Sequence, residues 1–288
     1  MSGAADIRLV LMDIDGTIVD TPDRAEVTPE LAQTVRAVAQ RGVSIGLATG
    51  RNYGHMMSQM RPIGFTGPFI CNGGAYVVKD GACCFESLLP LAVVDAAWEQ
   101  TLRHQCYIEF SGRDVMHTYI APAYTGLTFP RVGTDNYLHE MYPEEFDAVR
   151  TAHISKITLV VDSREKAEQL GRFWSEGPLA REITLSRSFW YALEITNPGI
   201  TKGSSLPLAA ASAGCTPQQV MVIGDGDNDA EILRAAGVSF AMANASPAAA
   251  AAAKYRAPSV KEDGACAVLR RYILAGAPLP GAETGRDL

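Results

Sequence analysis

Two carboxylates two residues apart, in Asp13-Ile14-Asp15-Gly16-Thr17, follow directly on the apolar run Ile7–Met12. An aspartate can attack phosphorus and form an aspartyl-phosphate. A second carboxylate beside it can protonate the leaving oxygen and then activate water. Gly16 permits a sharp turn close to a ligand. Three more segments have the same character. Ala48-Thr49-Gly50-Arg51 offers a hydroxyl where a helix is expected to start, and backbone N–H groups at a helix start favour phosphate oxygens. In Gly199-Ile200-Thr201-Lys202-Gly203 a lysine between strand and helix could neutralise transferring phosphate oxygens. Asp225, Asp227, Asn228 and Asp229 put three acids and an amide into five positions, a hard oxygen patch suited to Mg²⁺.

Taken singly, each segment has a plainer reading. Asp13 can cap a polar turn, Thr49 can be a simple N-cap, Lys202 an exposed lysine, and 225–229 a solvated acidic turn. Spacing removes some better-known loops. Lys202 lacks the Gly-x-x-x-x-Gly-Lys of a Walker loop. Residues 224–229 carry Asp where a dinucleotide loop needs its third glycine. A calcium EF-hand would need Gly at 230 and Glu at 236, and both are alanine.

The combination says more than the parts. All four segments lie just after an expected strand or at the start of a helix. In an open α/β sheet, ligands bind outside the carboxyl ends of the strands, so four such segments can converge on one cleft. Asp13 and Asp225 would then hold one Mg²⁺, which would screen the nucleophile from an anionic phosphate.

The elements that must position these residues are legible as an alternation. Ile7–Met12 reads as a doubly buried strand. Thr28 and Pro29 open a helix to about Gln40, with Gly42 past its end. Val43–Ala48 and Phe69–Cys71 are strands flanking a helix over 51–60, and Ala75–Phe85 a hairpin turning at Lys79-Asp80-Gly81. The alternation returns after Asn197, with helices over 203–213 and 229–236 and strands over 220–223 and 240–242. An alanine-rich helix follows Ser246-Pro247, and another covers 264–274. Between these halves, strands over 154–161, 183–186 and 191–195 and helices over 93–104 and 144–151 mix without strict alternation. The fold predicted is α/β: a doubly wound, Rossmann-like parallel sheet core of residues 1–85 and 194–288, with an inserted α+β cap over 86–193. The residues from about Gly276 onward read as a loose tail.

Composition narrows the class. With 47% hydrophobic and 20% charged residues, the 288-residue chain can bury an ordinary core. The net charge of −7, without a Lys/Arg-rich run, argues against nucleic acid as a partner. The six cysteines form no Cys-x-x-Cys pair, so they read as free, buried or semi-buried thiols in a reducing compartment. No run approaches a membrane span and no secretory signal is visible, so a cytoplasmic protein is expected. The five histidines show no ligand spacing. Among the insert's aromatics most read as core, while Arg113, His117 and Arg187 are candidates for substrate contact, and Lys156 reads as part of a solvated strand face.

The four segments, in this order, resemble the haloacid dehalogenase (HAD) superfamily, and the long insert resembles the cap of its Cof-type sugar-phosphatase subgroup. Asp13-x-Asp15-Gly16-Thr17, Thr49, Lys202 and Gly224–Asp229 match its four motifs, and Asn72 in Cys-Asn-Gly-Gly a further segment of the subgroup. The resemblance implies a Mg²⁺-dependent phosphatase, with Asp13 as nucleophile and metal ligand. Asp15 is implied as the acid/base, with its backbone carbonyl on the metal, and Asp225 as a direct ligand. Asp229 is implied to act through water or to orient Lys202. Thr49, Gly50, Lys202, Asn228 and the backbone of Ile14 are implied to hold phosphate. Two departures stand out: Gly74 where the family often has Ala, and Ala243 where it often has Gly. The partner expected is a small phosphorylated metabolite, by default a sugar phosphate, with erythrose-phosphate, flavin mononucleotide and pyridoxal phosphate also open, acted on by a monomer or homodimer. A sugar phosphomutase built on the same site, or a non-catalytic phosphometabolite binder, is the alternative; Asp15 speaks against the binder.

Overall fold

Leu9–Met12 is buried at every position, so both faces of this strand need cover, and the architecture follows from that. A computed structural model describes residues 6–20, 26–126 and 137–280, the side chains of 187–189 excepted. Its strands are β1 (Leu9–Met12), β2 (Ser44–Ala48), β3 (Phe69–Cys71), β4 (Tyr76–Lys79) and β5 (Ala82–Glu86). The insert contributes β6 (Tyr107–Ser111), β7 (Met116–Ile120), β8 (Leu138–Glu140), β9 (Lys156–Val160), β10 (Thr184–Phe189) and β11 (Ala192–Thr196). The chain returns with β12 (Val220–Gly224), β13 (Val238–Ala241) and β14 (Tyr255–Arg256). The helices are α1 (Pro29–Gln40), α2 (Tyr53–Met60), α3 (Leu91–His104), α4 (Phe146–Val149), α5 (Arg164–Glu176), α6 (Leu206–Ser212), α7 (Ala230–Ala235), α8 (Pro247–Ala252) and α9 (Gly264–Val268).

Two compact units result: the described parts of Met1–Arg51, Gln59–Phe85 and Thr201–Leu288 in one, and of Asn52–Ser58 and Glu86–Ile200 in the other. The first unit is built on an eight-stranded sheet ordered β14-β13-β12-β1-β2-β3-β4-β5. Strands β14 through β3 run parallel, and β4 turns back antiparallel to β3. Leu9 and Leu11 of β1 pack with Val220 and Val222 of β12 against Leu206, Ala209, Ile232, Leu233 and Ala249 on helices α6, α7 and α8. Helix α1 is capped by Thr28, whose Oγ1 accepts the N–H of Leu31 at 3.2 Å, and packs beside α9, where Thr34 Oγ1 lies 3.3 Å from Cys266 Sγ. This is the doubly wound α/β core expected from the strand–helix rhythm.

In the second unit six strands form a sheet ordered β10-β11-β9-β6-β7-β8, antiparallel except for β7–β8. Ile108, Phe110, Ile157, Leu159, Leu193 and Ile195 share its apolar face with residues of α3 and α5, among them Trp98 and Trp174. On the opposite face Glu109, Thr158 and Glu194 stand in register across β6, β9 and β11. Lys156 belongs to that face. It is buried rather than solvated, because Glu194 Oε1, one diagonal step across the ladder, takes its ammonium at 2.8 Å. Cys83 and Cys84 depart from expectation in the other direction, being exposed on β5, while Cys71, Cys106 and Cys266 are buried. Among the described residues no helix is long and apolar enough to cross a membrane.

Candidate active site

Strands β12, β1, β2 and β3 are neighbours and parallel. The residues that follow them, Asp225, Asp13, Thr49 and Asn72, therefore leave the sheet along one edge. From β1 the chain winds outward through β2 and β3, and from β12 it winds the other way through β13 and β14. Asp13 and Asp225 thus sit at the point where the winding reverses, the place where open α/β sheets bind ligands.

Asp13 is 7% exposed, Lys202 and Asp229 1% each. Lys202 Nζ lies 2.9 Å from Asp13 Oδ1 and 2.7 Å from Asp229 Oδ1. The second oxygen of Asp229 accepts the backbone N–H groups of Asp225 and Gly226, at 3.0 and 2.9 Å. Thr17 donates from Oγ1 to Asp225 Oδ1 at 2.7 Å. One carboxylate oxygen each from Asp13, Asp225 and Asp229 lies within 4.8 Å of the others. Gly16 allows this approach: its φ is +83°, and a Cβ there would stand 2.2 Å from Asp225 Oδ2.

Asp15 points elsewhere. Both of its carboxylate oxygens are held by the guanidinium fork of Arg51, Nε to Oδ2 at 2.9 Å and Nη2 to Oδ1 at 2.6 Å. Arg51 Nη1 also donates to Gln59 Oε1. The fully buried Thr49 accepts the N–H of Arg51 on Oγ1 at 3.1 Å, and its carbonyl accepts the N–H of Gly73 at 3.0 Å. The Arg51 carbonyl in turn takes the N–H of Asn72 at 2.9 Å, so the two loops are laced together. Gly74 has a physical reason here: its φ is +116°, and a Cβ would meet the Thr201 carbonyl oxygen at 2.2 Å. Its own carbonyl accepts from Ser205 Oγ at 2.7 Å, which fixes the turn carrying Lys202.

Of the residues singled out in the sequence, Asp13, Asp225, Asp229 and Lys202 are brought into one cluster, and Asp15 and Thr49 meet at Arg51. Ile14 is buried, and its carbonyl accepts the N–H groups of Thr17, Ile18 and Val19. Gly50 is half-buried and Asn228 exposed. No hydrogen bond among the described residues ties these three to the acidic trio. The Asp15 carboxylate stands outside the trio as well. The ties of Arg51, Thr17 and Asn244 were not read from the sequence; Asn244 Nδ2 donates to the Gly16 carbonyl at 2.8 Å. Arg51 and Thr17 lie inside recognised motifs, but their partners are 36 and 208 residues away. In the insert, Arg113 pairs with its neighbour Asp114, and the Nδ1 atoms of His117 and His139 lie 2.9 Å apart; the Arg187 side chain falls outside the described residues.

Burial pushes Asp13 up to about 8, with Asp229 and Asp225 adding to the rise and the Lys202 ammonium opposing it. Burial likewise lifts Asp225 to about 6, Asp229 adding and the Thr17 hydroxyl and Lys202 opposing. For Lys202, burial disfavours the charge, but Asp13 and Asp229 outweigh it and hold the ammonium above its usual value. Three carboxylates thus face one ammonium in a poorly hydrated place. The trio is an all-oxygen donor set of the kind that could hold a divalent cation such as Mg²⁺.

A pH dependence follows. Asp13 and Asp225 both titrate above the unfolded value of about 3.9, so between that pH and about 8 the folded chain holds more protons than the unfolded one. Their contribution is fully present below about pH 4 and declines as pH rises. The metal-free protein is expected to lose denaturation midpoint across that window, and saturating Mg²⁺ to flatten the loss. Midpoints measured at several pH values, with EDTA or with Mg²⁺, check this.

Comparison with known proteins supplies the context. The family of haloacid dehalogenase-like hydrolases matches the chain over residues 10–269. A 5-amino-6-(5-phospho-D-ribitylamino)uracil phosphatase from Escherichia coli is 27% identical over 274 residues, covering 94% of this chain and 98% of that protein. A phosphoglycolate phosphatase from Methanopyrus kandleri is 27% identical and covers 82% of this chain and 84% of its own. Among solved structures, a haloacid dehalogenase-like hydrolase from Bacteroides thetaiotaomicron superposes with a TM-score of 0.73 at 22% identity, covering 92% of this chain and 99% of that one. A subclass IIB sugar phosphatase of the same superfamily gives 0.72 at 20% identity, with 92% and 98% covered. At those identities the structural likeness speaks for the fold.

Proposed function

The chain belongs to the haloacid dehalogenase-like hydrolases, and we propose that it is a Mg²⁺-dependent phosphatase that releases phosphate from a small phosphorylated metabolite, a sugar phosphate by preference, through an aspartyl-phosphate on Asp13. The observation that carries this is the position of Asp13: nearly buried, 2.9 Å from the Lys202 ammonium, and grouped with Asp225 and Asp229. A carboxylate so placed is oriented by one donor, while its other oxygen is open to react.

The residue roles follow. Asp13 attacks phosphorus, and Lys202 balances charge on the transferring oxygens while Asp229 keeps its ammonium in place. Thr49, Gly50, Asn228 and the Ile14 backbone bind the remaining phosphate oxygens. Asp15 protonates the leaving alcohol and later takes a proton from the attacking water. Both Asp15 oxygens are committed to Arg51 in this structure, so the acid step requires the carboxylate to give up one of those bonds. Asp13, Asp225, Asp229 and the Asp15 carbonyl would hold Mg²⁺, whose charge would offset the repulsion between Asp13 and an anionic ester. Residues 86–193 act as the cap that selects the alcohol, and the enzyme works in the cytoplasm as a monomer or homodimer.

The test is a screen of phosphorylated metabolites, including phosphorylated sugars, phosphoglycolate and a phosphoribitylamino-uracil. Free phosphate is scored with Mg²⁺, with EDTA, and after Mg²⁺ is restored. Release that EDTA stops and Mg²⁺ recovers is expected. Isomerised sugar phosphate without free phosphate would instead mark a mutase, and no turnover across the panel would reject the proposal.

A further inference from the structure

Strands β7 and β8 run parallel, with His117 in register with His139. Neighbouring positions in such a ladder carry their side chains on the same face, and here the two rings meet. Their Nδ1 atoms lie 2.9 Å apart, with the ring planes at 85°. On its other side His117 stands in register with Phe110 of β6, so the pair sits on the apolar face of the sheet, opposite Glu109 and Thr158. Packing does not ask for imidazoles there, since apolar side chains would extend that face. Both histidines belong to the second unit. Solvent reaches the pair, because 43% of the His139 side chain is exposed.

The surroundings suit a metal ligand. Glu145 Oε1 stands 3.5 Å from His139 Nε2, and the Tyr142 N–H holds Glu145 Oε2 at 2.7 Å. A carboxylate on that side favours the proton on Nε2 and turns the Nδ1 lone pair towards His117. Burial and the neighbouring His139 keep His117 below the usual imidazole value, with Glu145 opposing. That ring is therefore neutral at neutral pH, the form in which imidazole ligates metals. Distance then selects the metal. Metal–nitrogen bonds of about 2.0–2.1 Å put two donors about 2.9 Å apart at a right angle, but about 3.3 Å apart at the tetrahedral angle. The observed 2.9 Å is the right-angle value, that of a square-planar or tetragonal ion. We propose that His117 and His139 form a second cation site, one for Ni²⁺ or Cu²⁺, with water completing the coordination and Glu145 orienting His139. On binding, the His117 proton moves from Nδ1 to Nε2, so both Nδ1 lone pairs meet the ion and no proton is lost. The all-oxygen trio of Asp13, Asp225 and Asp229 is a harder site, suited to Mg²⁺. An ion on the pair would tie β8, a three-residue strand at the edge of its sheet, to β7.

The test titrates the untagged chain with Ni²⁺ in a calorimeter, in excess Mg²⁺, beside His117→Gln, His139→Gln, Glu145→Gln and Asp13→Asn. Wild type and Asp13→Asn are expected to take up one Ni²⁺ per chain, and the two histidine variants none. Glu145→Gln keeps the helix cap, since glutamine serves at that position, and should weaken binding about tenfold. Ni²⁺ should also raise the denaturation midpoint of wild type and leave that of the histidine variants unchanged. Binding that survives both histidine substitutions overturns the proposal, as does binding lost in Asp13→Asn or absent from wild type. Should a histidine variant fail to fold, Cu²⁺ bound to wild type decides. Its electron paramagnetic resonance is expected to show coupling to two nitrogens, and coupling to fewer overturns the proposal.

Discussion

Asp13→Asn is expected to lower kcat at least about a thousandfold while leaving the protein folded. The amide has nearly the shape of the carboxylate but not its nucleophilicity, so the phosphoryl group has no acceptor. Folding should survive, for two reasons. Lys202 keeps Asp229 at 2.7 Å. The substitution also removes one of three carboxylates from a place where burial penalises their charge. Phosphate release and thermal denaturation, run on the same preparation, separate the two effects. A variant with near-normal turnover rejects Asp13 as the nucleophile, and one that fails to fold assigns Asp13 to the architecture instead.

The second large effect concerns Lys202. Its ammonium is 1% exposed and bridges Asp13 and Asp229. Lys202→Met keeps most of the buried volume and removes the charge, leaving two buried carboxylates without their partner. Breaking a buried pair from one side costs about 3–5 kcal/mol, and that loss is expected in denaturant titrations of the metal-free variant. Mg²⁺ should recover part of it, because the variant still presents the Asp13, Asp225 and Asp229 oxygens. A loss below about 1 kcal/mol, in the range of an exposed pair, would show that the pair is more hydrated than its burial indicates. Activity should fall with stability, but Mg²⁺ should rescue only the latter.

The core was legible because its signals are local. Apolar runs of three to six residues pointed to the strands that end at Met12, Ala48, Cys71 and Gly224, and each is a parallel strand followed directly by a candidate site residue. Helix starts with a Ser or Thr before Pro, at Thr28-Pro29 and Ser246-Pro247, were read to the residue. Elsewhere boundaries shifted. The helix expected from Gly203 begins at Leu206, because 202–205 form the turn that positions the lysine. The last helix passes into a π-helix over Leu269–Leu274.

The insert was read less well. Helix α5 went unnoticed because Ala167, Leu170, Gly171 and Trp174 make a thin stripe in an otherwise charged run. Strands β6 and β7 mix apolar and polar residues without a regular period of two, so no strand pattern stands out in the sequence. In the site, the four motifs identified Asp13, Asp225, Asp229 and Lys202, whose roles depend on residue type and strand ends. The fork between Arg51 and Asp15 and the Thr17 bond to Asp225 stayed hidden. Each is a matter of which atom faces which, and spacing along a chain does not encode that.

The central claim is that a phosphoryl group rests on Asp13, and one measurement addresses it directly. Asp15→Asn removes the group assigned to activate water. p-Nitrophenyl phosphate, whose leaving group needs no proton, bypasses the acid step. Mixed with the ³²P-labelled ester and Mg²⁺, this variant should release about one equivalent of nitrophenolate per site in a burst and then stall, with the label on the peptide that contains Asp13. Steady turnover without a burst, or a label on any other peptide, would contradict the account.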